Sequence, residues 1–83
     1  MADLLDQLAD VPDPRDLAQI RVLAASGLAR TIRINAAVSL REIAADIGVA
    51  PTSVQRWETA QRAPRGLPAV RYLRVMESLV ARP

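Results

Sequence analysis

Two helix-length segments pinned around one glycine constrain this chain more than anything else in it. Ser39-Leu40-Arg41-Glu42 forms a capping box. The Ser39 hydroxyl can accept from the Glu42 amide, and the Glu42 carboxylate can reach back to the Ser39 amide. The box opens a short helix from Leu40 to Ile47 that turns Ile43, Ala44 and Ile47 inward. Gly48 stops it in the left-handed conformation that glycine adopts at low cost, and Val49-Ala50 completes a tight turn. Pro51 then opens a second helix at a position where its missing N–H costs nothing. Val54 and Trp57, three apart, face inward there, while Thr52, Ser53, Gln55, Arg56 and Thr59 cover the other faces.

The flanking segments also read as helices. Ala2–Asp10 is amphipathic, with Leu4, Leu5 and Leu8 on one side and Asp3, Asp6 and Asp10 elsewhere. Val11-Pro12-Asp13-Pro14 ends it, because each proline pushes its predecessor out of the helical region. Asp13 can cap a new helix with Pro14 at its first position. Leu17, Ile20, Leu23 and Ala24 follow at helical spacing. Leu28, Ile32 and Ala36 continue a stripe beyond Ser26-Gly27, so 14–36 is either one bent helix or two abutting ones. Ala60 to Gly66 reads as a basic loop. Pro68 is expected to begin a last helix with Val70, Leu73, Met76, Leu79 and Val80 inward. The expectation is an all-α compact bundle of about five helices. Residues 1–13 form a short acidic helix or arm, and 14–83 the main domain.

Composition narrows the function. A chain of 83 residues makes one small domain. Only Trp57 and Tyr72 are aromatic, so the core must be mostly Leu, Val, Ile and Ala. The spacing of Trp57 from Val54 makes it a core residue, and Tyr72 belongs to the core or to a dimer surface. Cys and His are both absent, which removes disulfides, thiolate and zinc sites, Ser-His triads and imidazole acid–base chemistry. No enzyme activity, cofactor or metal is expected. No apolar run approaches the ~20 residues of a membrane span, and the N-terminus is acidic where a signal peptide is basic. An intracellular protein is therefore the expectation. The net charge of +2 conceals an asymmetry. Residues 1–16 carry five Asp against Arg15, whereas 17–83 carry ten Arg against Glu42, Asp46, Glu58 and Glu77. A basic body is what a phosphate-binding surface needs. All eleven basic residues are Arg, which suits bidentate contacts to guanine or phosphate, although a GC-rich genome also favours Arg codons.

Two short helices joined by a glycine-containing turn make a helix-turn-helix, here from Ser39 to about Thr59. Close crossing of its helices needs a small side chain, supplied by Ala44. The second helix must anchor by a few apolar residues and show polar ones to the major groove. Leu28–Ala60, and more loosely Leu17–Ala81, resembles the Xre-type helix-turn-helix family of phage repressors, Cro proteins and bacterial regulators. The residues that carry the resemblance are Arg33, Ser39-Leu-Arg-Glu-Ile-Ala44, Gly48-Val49, Val54-Gln-Arg-Trp57-Glu58, Arg62, Pro64 and Arg71-Tyr72-Leu73-Arg74.

That resemblance implies a lambda-repressor-like bundle whose recognition helix starts at Pro51. It also implies an ion pair between Arg33 and Glu58. Pro51, Thr52, Gln55 and Arg56 match the positions that face bases. Arg56 would bond guanine O6 and N7, or else a phosphate. Gln55 would bond an adenine edge or a phosphate, and Thr52 and Ser53 a thymine methyl, a base edge or a phosphate. Arg41, Ser53, Thr59, Arg62 and Arg65 are the candidates for the DNA backbone. The chain departs from the family at Leu40, where many relatives place Gln, at Ala50, which replaces a polar cap, and at Pro51, whose side chain cannot hydrogen-bond. The implied function is a sequence-specific transcriptional regulator, repressor or Cro-like, bound as a homodimer to a pseudo-palindromic double-stranded site in a bacterial or phage-infected cytoplasm. The alternative is an antitoxin-type autoregulator that also binds a partner protein, with the leucine-bearing residues 1–10 as its arm.

Overall fold

The computed structural model describes residues 11–81; the Ala2–Asp10 helix expected from sequence lies outside them. Five helices follow one another: α1 (Pro14–Ala25), α2 (Leu28–Asn35), α3 (Leu40–Ile47), α4 (Pro51–Glu58) and α5 (Gly66–Val80). Asp13 caps α1, its carboxylate accepting from the Arg15 amide at 2.8 Å. Residues 14–36 resolve into two helices. Gly27 takes φ 87° between them, and the Ser26 hydroxyl accepts from the Leu28 amide at 3.3 Å. A Cβ at Gly27 would meet nothing within 4 Å, so the backbone angle and not crowding calls for glycine here.

Both bonds of the Ser39–Glu42 capping box form, each at 3.0 Å. At the other end of α3, Gly48 takes φ 91° and donates to the Ala44 carbonyl at 2.8 Å. Two helix exits place alanine where glycine is the usual choice: Ala37 after α2 at φ 57° and Ala60 after α4 at φ 60°. Each costs roughly 1–2 kcal/mol of backbone strain. Both exits recover hydrogen bonds for helix-end carbonyls, from Val38 to Arg33 at 3.1 Å and from Gln61 to Arg56 at 2.9 Å.

The last helix begins two residues before Pro68. Arg65 is its extended cap and Gly66 its first residue. Pro68 therefore sits at the third position, still inside the turn whose amides have no intrahelical partner. α5 is the central element and packs on α1, α2 and α3, while α3 and α4 pack on each other. The core is Ile20, Ala24, Ala29, Ile43, Ala44, Ile47, Val54, Trp57, Ala69, Tyr72, Leu73 and Met76. Two expected inward positions differ. Leu28 is 48% and Val80 64% exposed. In α2 the buried residue is Ala29, because the helix turns Arg33 toward Glu58 and so rotates Leu28 outward. Val80 lies on the last turn of α5 and borders a surface groove.

Candidate nucleic-acid interface

α4 presents a sharply divided surface. Val54, Trp57 and Glu58 are buried on one side, and Pro51, Thr52, Gln55, Arg56 and Thr59 are exposed on the other. The division follows from helix geometry, since Val54, Trp57 and Glu58 fall within about 100° of one another at 100° per residue. Trp57 stacks on Tyr72 with ring centroids 5.0 Å apart and an interplanar angle of 32°. Offset, tilted packing of this kind is favourable for aromatic pairs, and it anchors the helix to α5. Trp57 is 7% exposed and reaches the surface only at the edge of the concavity that Arg56 and Arg62 line.

The end of α4 is held electrostatically. Arg33 Nε donates to Glu58 Oε2 at 2.6 Å and Nη2 donates to Oε1 at 3.0 Å, a two-pronged pair. Arg33 Nη1 donates to the Val38 carbonyl at 3.0 Å. The side chains are only 13% and 3% exposed, so the pair works in a low-dielectric setting. The hydrogen bond to Glu58 raises the Arg33 guanidinium further above its usual range. One ion pair thus ties α2 to the C-terminal end of α4 and orients the exposed face.

The arginines divide into two groups by what they touch. Arg21 Nε donates to the Pro64 carbonyl at 3.0 Å and pins the loop after α4 to α1. Arg71 Nη1 donates to the Ile47 carbonyl at 3.3 Å, which caps the C-terminal end of α3. Arg74 bridges Asp16 at 2.9 Å and Glu77 at 2.6 Å. Among the described residues, Arg30, Arg41, Arg56, Arg62 and Arg65 make no ion pair and no side-chain hydrogen bond, and all five are exposed. Arg56, Arg62 and Arg65 line one surface concavity together with Ser53 and Gln61. The half-buried Ser53 forms its wall. Gln61 had no signal in the sequence: it belongs to no periodic pattern, and the left-handed turn at Ala60 places it in the same concavity as Ser53 and Arg56.

Two further positions are qualified by their hydrogen bonds. The Thr59 hydroxyl donates to the Gln55 carbonyl at 2.9 Å, so donating to a phosphate oxygen requires that intrahelical hydrogen bond to be broken. No side chain caps α4 at Ala50, which leaves the start of the helix to solvent or to a ligand. Among the described residues no cluster of acidic groups could hold a metal ion, and no helix is long and apolar enough to cross a membrane.

Comparison with known proteins agrees with this geometry in one respect. The HTH_3 family model, described as helix-turn-helix, matches residues 30–78, more than half of the chain. No curated protein and no solved structure gives a match.

Proposed function

Since the chain belongs to the HTH_3 family of Xre-type, Cro-like helix-turn-helix domains, which bind DNA and share the lambda-repressor-like fold, we propose that it is a sequence-specific transcriptional regulator of the phage-repressor or Cro type, reading the major groove with α4. The observation that carries this reading is the coincidence of two features. α4 exposes Pro51, Thr52, Gln55 and Arg56 on its outer face, and three unengaged arginines border the same end of the molecule.

Arg56 reads guanine through a bidentate contact, worth roughly 1–3 kcal/mol of discrimination. Gln55 bonds an adenine edge or a phosphate. Thr52 meets a base edge or thymine methyl, and Pro51 contributes shape. Arg62 and Arg65 grip phosphates beside the recognition helix, and Arg41, Ser53 and Thr59 add backbone contacts. A module this small gains affinity by binding as a homodimer, which calls for a pseudo-palindromic operator with half-sites about one helical turn apart. The cell is bacterial or phage-infected.

Selection of bound duplexes from a random pool tests the whole reading. The expected result is one enriched half-site repeated with two-fold symmetry. Repeating the selection with Arg56→Ala should relax the preference at a single base position. No enriched site with the unaltered chain would reject sequence-specific binding. An equal loss on every sequence with Arg56→Ala would move Arg56 to a phosphate.

A further inference from the structure

Ala63 and Pro64 stand at the least supported point of the chain between α4 and α5. The Gln61 and Arg62 amides donate back to the Arg56 carbonyl at 2.9 and 3.2 Å, and the Arg65 carbonyl accepts from Ala69 of α5 at 3.3 Å. Between them, neither Ala63 nor Pro64 makes a backbone–backbone hydrogen bond among the described residues. The Pro64 side chain is fully buried, which fixes where the loop sits but not how its next peptide is turned. Proline's φ is locked, so ψ is the soft angle left, and ψ is the angle that turns the carbonyl. The hydrogen bond that settles it comes from Arg21, whose Nε donates to the Pro64 carbonyl at 3.0 Å.

That carbonyl shares its peptide plane with the Arg65 amide. Because a peptide is planar, a bond that holds the Pro64 oxygen also sets the direction of the Arg65 N–H and Cα. Arg65 is extended there, at φ −136° and ψ 156°. Its unengaged side chain lines the concavity shared with Arg56 and Arg62.

Arg21 can brace the loop because α1 is itself firmly held. Ile20 and Ala24 are buried in the core, and Asp16 pairs with Arg74 of α5 at 2.9 Å. α1 precedes the residues 30–78 that the family model matches, so the brace comes from outside the matched segment. We propose that Arg21 is a positioning residue for DNA binding: through the Pro64 carbonyl it aims Arg65 at a phosphate before DNA arrives. This rests on the function proposed above, in which Arg65 grips a phosphate.

Arg21 is exposed, and Arg21→Met removes the donor while keeping an unbranched stem, so the helical circular dichroism should be unchanged. Binding to one duplex at low ionic strength should weaken by about fivefold, the equivalent of about 1 kcal/mol, which is what holding one backbone residue in a single conformation costs. The same change made in Arg65→Gln should weaken binding little further, since Arg21 acts through Arg65. Equal weakening in the two backgrounds would assign Arg21 a charge or stability effect of its own, and no weakening would make the brace idle; either result overturns the proposal. Backbone relaxation of the free chain supplies a second reading. The order parameter of the Arg65 amide should fall from about 0.85 toward 0.6 in Arg21→Met, while that of Trp57 stays in place. An Arg65 amide that remains rigid would overturn the proposal too. That measurement contains no DNA, so its failure is distinct from the failure of the unaltered chain to bind any duplex, which would reject the DNA-binding reading.

Discussion

Tyr72 places a phenolic hydroxyl where water does not reach and where, among the described residues, nothing hydrogen-bonds it. Burial, reinforced by the Glu58 charge, pushes its ionisation well above the ordinary tyrosine range. The folded state therefore favours the neutral phenol. That contribution is complete below the unfolded value of about 10 and is lost as pH rises above it. Tyr72 is the only tyrosine in the chain, so its ultraviolet phenolate band reports on this one site. The band should appear together with loss of helical circular dichroism, not before it. Phenolate formation in a chain that keeps its helices would show that solvent reaches the hydroxyl. Tyr72→Phe keeps the ring on Trp57 and removes only the unpaired group. It should leave stability unchanged or raise it by up to about 1 kcal/mol, as read from denaturant midpoints.

Between elements, the Arg33–Glu58 pair is the contact with most at stake. α4 has eight residues, and an isolated helix of that length is not stable in water. Its position depends on three anchors: Val54, Trp57 and Glu58. Glu58→Ala strands a guanidinium that is largely buried, and such one-sided losses cost about 3 kcal/mol or more. Tm should fall by on the order of 12 °C or more. DNA affinity should fall as well, because the exposed face of α4 loses its orientation. An unchanged melting curve would remove the pair from the set of anchors. The outer end of α3 shows a milder pH response. Its Glu42 carboxyl is held below the usual range by the Ser39 backbone amide and then by the Ser39 hydroxyl. The cap is present above the ordinary carboxylate range and is lost as pH falls through the lowered value.

For the whole molecule, the decisive quantity is where unengaged positive charge lies. Arg56, Arg62 and Arg65 share one concavity, whereas five Asp fall in residues 1–16. If Arg62 and Arg65 each neutralise one phosphate, replacing both with Gln should make the log–log salt dependence of DNA affinity shallower by about 1.8. The measurement is binding to one duplex over a series of salt concentrations. An unchanged slope would place both guanidinium groups outside the interface.

Sequence alone determined the features that depend on local chemistry. The Ser39–Glu42 box, Gly48 and Pro51 set the bounds of α3 and α4, since caps and left-handed turns are decided by a few neighbouring residues. The three-residue spacing of Val54 and Trp57 gave α4 its buried side, and so its outward set. Other features needed the tertiary structure. The phase of α2 was illegible, because eight residues accommodate a stripe through Leu28 as easily as one through Ala29, and the reach of Arg33 to Glu58 chose between them. Ala37 and Ala60 carry no sequence signal for a left-handed turn. Only the family resemblance separated Arg41, Arg56, Arg62 and Arg65 from the other arginines, and no local pattern shows what holds Arg21, Arg71 and Arg74. Their partners lie tens of residues away, at Pro64, Ile47 and Asp16, and only packing decides which guanidinium groups are engaged and which remain available to a ligand.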